Sequence, residues 1–428
     1  MGPVTFRQLL WVVVVGVLIR VAAVTMIPHP EGLRQLEPSV IARHLNAGRG
    51  FVYEQYGTPY RAWKEPLYIV LLAALTRWVG EGALVVWGLQ WCFGVAAAVG
   101  VAWWARQVLG DAATATLAGA IAAINPFLVY YDTQVIHPLS MDMALFLAVT
   151  GTVLLAVTAI RHMRWTIIAG VVMGLALWQR SVLLAAGLFA WLLAIARSRR
   201  IDRPATVRGA MLWLVVALAV VSPWLMRNAR LFHRIVFTTD FAHIVWLGNN
   251  SWSNGTYSDM AGQRVITHAD PAFLAKLQGA SELEQSDLFW AEATRFIATQ
   301  PGRAAGLIAR RAWAFVWFSP NAGIEYSAGQ RALYRLAYLG LLGLGLLGFL
   351  VCWRRADSVR RDRALLLVAA VAGLATAHAM TAMNTKHRVP LELTLAIFAA
   401  AALRQGFNAV RMRRETAKGG RVPAVRVP

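Results

Sequence analysis

Apolar runs long enough to cross a bilayer recur along this chain, and no other feature narrows its fold as much. The first, at 9–27, reads LLWVVVVGVLIRVAAVTMI. A membrane helix needs about 20 predominantly apolar residues. Runs of that kind place candidate spans at 8–27, 83–105, 112–130, 138–159, 165–179, 182–196, 209–226, 332–353, 364–382 and 388–403. The expected fold is therefore an all-α integral membrane bundle of about ten transmembrane helices. Composition agrees: 58% of residues are hydrophobic and 15% charged, against about a quarter charged in an ordinary soluble domain. The run at 9–27 is too long for a signal-peptide core and reads as a retained span.

The net charge of +21 invites a nucleic-acid reading, but the basic residues sit in the wrong places for one. Arg197, Arg199, Arg200 and Arg203 cluster in one short loop, and Arg354, Arg355, Arg360, Arg361 and Arg363 in another. The tail adds Arg411, Arg413, Arg414, Lys418 and Arg421. Basic loops between apolar runs mark a cytoplasmic side. With ten crossings these loops share one side, so both termini are expected in the cytoplasm and the protein in a plasma (bacterial inner) membrane. The two cysteines, Cys92 and Cys352, lie in apolar runs and build neither a disulfide framework nor a cysteine metal site.

The chain divides into a transmembrane module at 1–226, an outer-face region at 227–331, further spans at 332–404 and a basic tail at 405–428. The first outer loop, 28–82, holds two helices expected to lie at the interface. In LEPSVIARHL, Leu36, Val40, Ile41 and Leu45 share one helical face. The run at 67–79 follows RAWKEP and closes at GEG, and it is too short to span. If it crossed, the arginine-rich loops would fall on opposite sides. In the long outer loop, Ser281 and Glu284 form a capping-box pattern before an apolar series.

The outer face collects the unusual polar residues. They are Glu37, then Arg61, Lys64 and Glu65, then YYDTQVIHP with Tyr131, Asp132 and His137. Arg180 follows in GLALWQR, then Arg227 and Asn228, then Lys386, His387 and Arg388. Arg180 stands between two apolar runs with almost no loop around it, where an ionisable side chain usually faces a cavity or partner.

Those residues carry a family resemblance. LEPSVIARHLNAGRGF followed by KEPLYIVLLA resembles the first outer loop of the GT-C membrane glycosyltransferases. GLALWQR, SPWLMRNARLF with FAHIVWLGNN, SELEQSDLFWAEATRFIATQPGR and HRVPLEL resemble that group's later elements, in order. Within that group the chain is similar to bacterial transferases of the protein O-mannosyltransferase kind and to the enzyme that adds aminoarabinose to lipid A. The resemblance implies an inverting sugar transfer from a polyprenyl-phosphate donor to an acceptor hydroxyl outside the cytoplasm. Glu37 takes the place of the base. Lys64, Arg61, Arg180, His387 and Arg388 are the expected phosphate ligands. Asp132, His137 and Tyr131 are the expected sugar or acceptor contacts. Glu65 is either a ligand for a divalent metal or an ion-pair partner of Lys64 or Arg61. The order K-E-P departs from the E-K-P of the aminoarabinose branch, and Arg34 stands where many relatives have an aspartate. The expected partners are the bilayer, the lipid-linked sugar and an acceptor lipid, glycan or protein. The alternative is a transporter or flippase of lipid-linked sugar, whose ionisable residues would lie near the bilayer midplane.

Overall fold

The computed structural model describes residues 5–27, 32–160, 162–257, 265–318 and 327–417. Lys418 and Arg421 of the basic tail lie outside them. In chain order the helices are α1 (Phe6–Met26), α2 (Glu37–Asn46), α3 (Leu67–Val79), α4 (Ala83–Leu109), α5 (Ala112–Ala123), α6 (Pro126–Gln134), α7 (Leu139–Thr158), α8 (Met163–Gln179) and α9 (Leu183–Arg197). Then come α10 (Arg203–Phe232), α11 (Asp240–Gly248), α12 (Pro271–Leu277), α13 (Glu282–Thr299), α14 (Pro301–Val316), α15 (Ala328–Arg355), α16 (Ser358–Met380) and α17 (Val389–Ala417). Strands β1 (Tyr53–Gln55) and β2 (Thr58–Tyr60) form an antiparallel hairpin.

The protein is an all-α, multi-pass membrane protein apart from that hairpin. Among the described residues seven helices are long and apolar enough to cross a membrane, or eight if the bent pair α5–α6 is one span. α3, α8 and α9 are shorter apolar helices. The 47° bend between α5 and α6 falls at Asn125-Pro126, because proline cannot continue a helix from the preceding turn. Asn125 restarts the chain by accepting the Phe127 and Leu128 N–H groups through Oδ1.

Small residues let the membrane helices approach. α4 and α5 meet through Ala97, Ala98, Ala105, Ala115 and Ala122, all buried. Such residues suit helix pairs in lipid, where close van der Waals packing replaces a hydrophobic driving force. Gly348 of α15 lies so near α17 that a Cβ would stand 1.8 Å from Phe398 O.

One ion pair lies deep in the bundle. Arg20 of α1 donates from Nε to Asp132 Oδ2 of α6 at 2.8 Å, and its Nη2 lies 2.7 Å from the same oxygen as an ion pair. Asp132 Oδ1 accepts the Ser140 hydroxyl at 2.5 Å. Gly94 of α4 makes room, since a Cβ there would lie 2.3 Å from Asp132 Oδ2.

The loops that precede α3 and α7, the α8–α9 corner, the 233–257 segment and the α16–α17 turn are tied into one face, called the loop face below. Arg34 pairs with Val135, and Thr256 with Met383, as isolated bridges. Glu65 reaches Ser181, and Thr239 N–H donates to Ala62 O. α3 buries Tyr68, Ile69, Leu72 and Ala73 while Trp78 stays 86% exposed. α2 buries Ile41 and Ala42, and α13 starts on the expected Ser281–Glu284 capping box.

Candidate active site on the loop face

The segment before α3 delivers Lys64 into a cluster of charged side chains on this face, called the crevice below. Its ammonium meets Asp240 Oδ2 at 2.5 Å. Asp240 is the first residue of α11, where a helix N-terminus favours negative charge. Burial opposes charge on Lys64, yet Asp240, Glu37 and Glu65 together hold its pKa above the usual lysine range. Glu37 opens α2, and its charge acts on both Lys64 and Lys386. That brings the first residue of α2 to the same crevice.

Glu65, the next residue after Lys64, turns to the α8–α9 corner. Its Oε1 accepts both the Ser181 N–H and the Ser181 hydroxyl at 2.8 Å. Arg180, on the same corner, donates from Nε to Asp142 Oδ2 at 3.0 Å. Gln179 donates to Asp142 Oδ1 at 2.6 Å, so both oxygens of that buried acid serve the corner. Gln179 also accepts the Tyr68 N–H at the start of α3.

The α16–α17 turn closes the crevice. Lys386 Nζ stands 3.1 Å from His137 Nε2. His137 Nδ1 accepts the Leu139 N–H at 3.0 Å, capping α7. Burial, with Lys386, Arg180 and Lys64 adding to it, pushes the His137 pKa well below the ordinary histidine range. His387 stacks on His378 with ring centroids 3.8 Å apart. The charges of Arg180 and Lys386 act on His387 as well. The Tyr257 hydroxyl is pushed up to about 12 by burial, with Lys64 and Arg180 pulling the other way. Gln90 supports the floor: its Nε2 donates to the carbonyls of Tyr131, Asp132 and Val135, and its Oε1 accepts from the Tyr68 hydroxyl and the His137 N–H.

No protein-family model matches the chain, and no curated protein matches it. Among solved structures the chain is similar to ArnT from Cupriavidus metallidurans bound to undecaprenyl phosphate. The TM-score is 0.42 at 16% identity, covering 92% of this chain and 77% of that one. It is also similar to the apo state of ArnT from the same organism, with TM-score 0.37, 14% identity and coverage of 92% and 76%.

The structure brings Glu37, Lys64, Glu65, Arg180, His137 and His387 to one crevice. Two expected residues are engaged elsewhere. Asp132 is fully buried, with its oxygens engaged by Arg20 and Ser140. Arg388 is 1% exposed. It donates to Trp317 O at 2.8 Å and the Tyr334 hydroxyl at 2.6 Å, and lies 3.9 Å over the Tyr338 ring. Tyr131 is buried and meets the His137 ring edge-on at 5.0 Å. Arg61 is exposed at the rim, its carbonyl held by Arg227 at 2.9 Å. Among the described residues no three His, Cys, Asp or Glu side chains stand close enough to hold a metal. Glu65 serves Ser181, and the nearby carboxylates are matched with cations. The donor set fits an anion better than a divalent metal, and no step below passes through one.

Three residues of the crevice, Asp142, Asp240 and Tyr257, were not singled out from sequence, and Lys386 was noted there without a role. Asp142 carried the clearest signal, an acid inside the apolar run LSMDMALFLAV. Beside the crevice runs an apolar groove of about 690 Å³ between α1, the α5–α6 bend, α15 and α17. Ile19, Phe127, Leu341 and Leu403 line it, and so does Thr385, the sequence neighbour of Lys386.

Proposed function

We propose that the protein transfers a sugar from a polyprenyl-phosphate donor to an acceptor hydroxyl, with inversion, on the outer face of a bacterial inner membrane. The observation that carries this reading is the convergence of Lys64, Arg180 and Lys386 on one crevice of a membrane bundle, next to an apolar groove. Cations fixed where phosphate charge grows stabilise a transition state without reorganising during reaction. The groove offers the lipid tail a place that remains within the apolar layer.

In this mechanism Lys64 and Arg180 take the donor phosphate, with Arg61 and His387 at its edge. Glu37 removes the acceptor hydroxyl proton. The acceptor oxygen attacks the anomeric carbon from the face opposite the phosphate. The bond from that carbon to the phosphate oxygen breaks, and the lipid phosphate leaves with the electron pair. His137 and Tyr131 face the sugar. Topologically, α8 and α9 supply the two further crossings that make ten spans, the loop face lies outside, and both termini are cytoplasmic.

The test uses the purified chain in lipid nanodiscs with a panel of polyprenyl-phosphate sugars and lipid, glycan and peptide acceptors. Glu37→Gln is expected to lower turnover by about 10²–10⁴-fold, the usual weight of a general base, while donor binding persists. Wild-type turnover in that variant would remove Glu37 as the base. Movement of a lipid-linked sugar across the bilayer, with no transfer from any donor, would establish the flippase instead.

A further inference from the structure

A single carboxylate outside the crevice grips both segments that build the Lys64–Asp240 pair. Glu282 is the first residue of α13 and is buried. Its Oε2 accepts the Arg61 N–H at 2.6 Å. Its Oε1 accepts the Ala62 N–H at 2.9 Å and the Thr239 hydroxyl at 2.6 Å. Arg61 and Ala62 lead into Lys64, and Thr239 immediately precedes Asp240. The Thr239 N–H donates to Ala62 O at 2.9 Å, closing the ring between the two segments.

The grip is stronger than a turn needs. Hydrogen bonds to an ionised carboxylate are about twice as strong as neutral ones, and three converge here. Burial raises the Glu282 pKa, while the Thr239, Arg61 and Ala62 donors and Arg227 oppose that rise. One turn along α13, Gln285 accepts the Tyr60 hydroxyl and donates to Leu277 O and Thr58 Oγ1. The hairpin leading into RAWKEP is thus held to α13 twice, and of these two residues Glu282 also reaches Thr239, just before α11.

We propose that Glu282 is a positioning residue for Lys64: it fixes the spacing between the RAWKEP segment and α11, and with it the aim of the ammonium at the donor phosphate. This rests on Lys64 being a ligand of that phosphate. It makes α13, which contributes no side chain to the crevice, a determinant of donor affinity.

A double-variant cycle on the full-length protein in nanodiscs tests the idea, with farnesyl phosphate as the probe. Glu282→Gln replaces one acceptor oxygen with an NH₂ group that faces an N–H donor. Affinity is expected to fall about tenfold, the size of one weakened hydrogen bond to a charged group. In a Lys64→Met background the same change should cost nothing more, because coupled residues are non-additive. Equal losses in both backgrounds, or no loss in either, would overturn the proposal. Glu284→Gln, at an exposed residue of the same first turn, controls for damage to α13. If Glu282→Gln does not fold, Thr239→Val removes one arm of the clamp and goes through the same cycle, with about a threefold loss expected.

If the wild type binds no farnesyl phosphate, the donor reading fails, but the clamp is still read directly. Acetylation of Lys64 by acetic anhydride, followed by mass spectrometry against exposed Lys276, should speed up in Glu282→Gln as Lys64 loses its fixed partner. An unchanged ratio would overturn the clamp whatever the donor.

Discussion

Lys64 and Asp240 are 176 positions apart in sequence and meet at 2.5 Å. The pair is partly shielded, with the lysine side chain 22% and the aspartate 6% exposed. Lys64→Met is expected to weaken farnesyl phosphate binding by about 10–100-fold, the range for a hydrogen bond to a charged group. Asp240 then keeps a buried charge with no cation against it, so thermal stability falls as well, by less than the ~3–5 kcal/mol of breaking a fully buried pair. Calorimetric titration and thermal unfolding in one detergent separate the two effects. Wild-type affinity in this variant would remove Lys64 from the donor site.

Arg388 gives the opposite result. Its guanidinium bridges Trp317 O and the Tyr334 hydroxyl, and the Tyr334 hydroxyl donates to Glu392 at 2.5 Å. Lysine lacks the planar fork needed to hold both. Arg388→Lys should lower stability by about 1–3 kcal/mol, and any loss of donor affinity should accompany that loss of stability. A selective loss of affinity at unchanged stability would return Arg388 to the phosphate site.

His137 predicts a pH dependence of stability. Its folded pKa lies below the ordinary value because of burial and the facing Lys386, Arg180 and Lys64. Below about pH 6.5 the unfolded chain takes up a proton that the folded ring refuses. Stability therefore falls as pH drops through that value, by up to about 1.4 kcal/mol per pH unit. Unfolding midpoints from about pH 7.5 to about 5.5 should fall more steeply in wild type than in His137→Gln. Parallel slopes would contradict a neutral buried ring.

The Arg20–Asp132 pair is a structural element buried within the helix bundle. Asp132→Asn should cost about 3–5 kcal/mol, because a buried arginine loses its counter-charge. Replacing both partners by Arg20→Met and Asp132→Leu should recover much of that loss, since the apolar pair has no charge to desolvate. Thermal unfolding of the three variants measures it, and an unmoved midpoint in Asp132→Asn would show the pair to be idle.

What the sequence made legible was whatever is written locally. α3 runs from Leu67 to Val79, as its length between Pro66 and GEG required. The Ser281–Glu284 box starts α13 because cap chemistry needs only four consecutive residues. The β1–β2 hairpin was not foreseen. Its strands are three residues each, too short for an alternating pattern, and only the Tyr56-Gly57 turn, with φ of 50° and 75°, announces it. Partners far apart in sequence were hidden too. Nothing near Asp132 reveals that Arg20 takes it, and nothing in HRVPLEL reveals that Arg388 turns inward to Tyr334. Charged residues around an apolar run look alike until packing decides which of them face the crevice.

The exposed Trp78 at the far end of α3 fixes a depth. Tryptophan favours the headgroup level, and α3 buries one face while leaving that ring open. If α3 rests at that level, Lys64, three residues before its first turn, stays at the waterline. Under the proposed transfer, a long isoprenoid could then react while it stays dissolved in the bilayer, sparing the ~0.8 kcal/mol per methylene of lifting it out. The protein would meet such a donor by lateral diffusion in two dimensions, and its apparent affinity would follow the density of the lipid in the leaflet instead of its concentration in water.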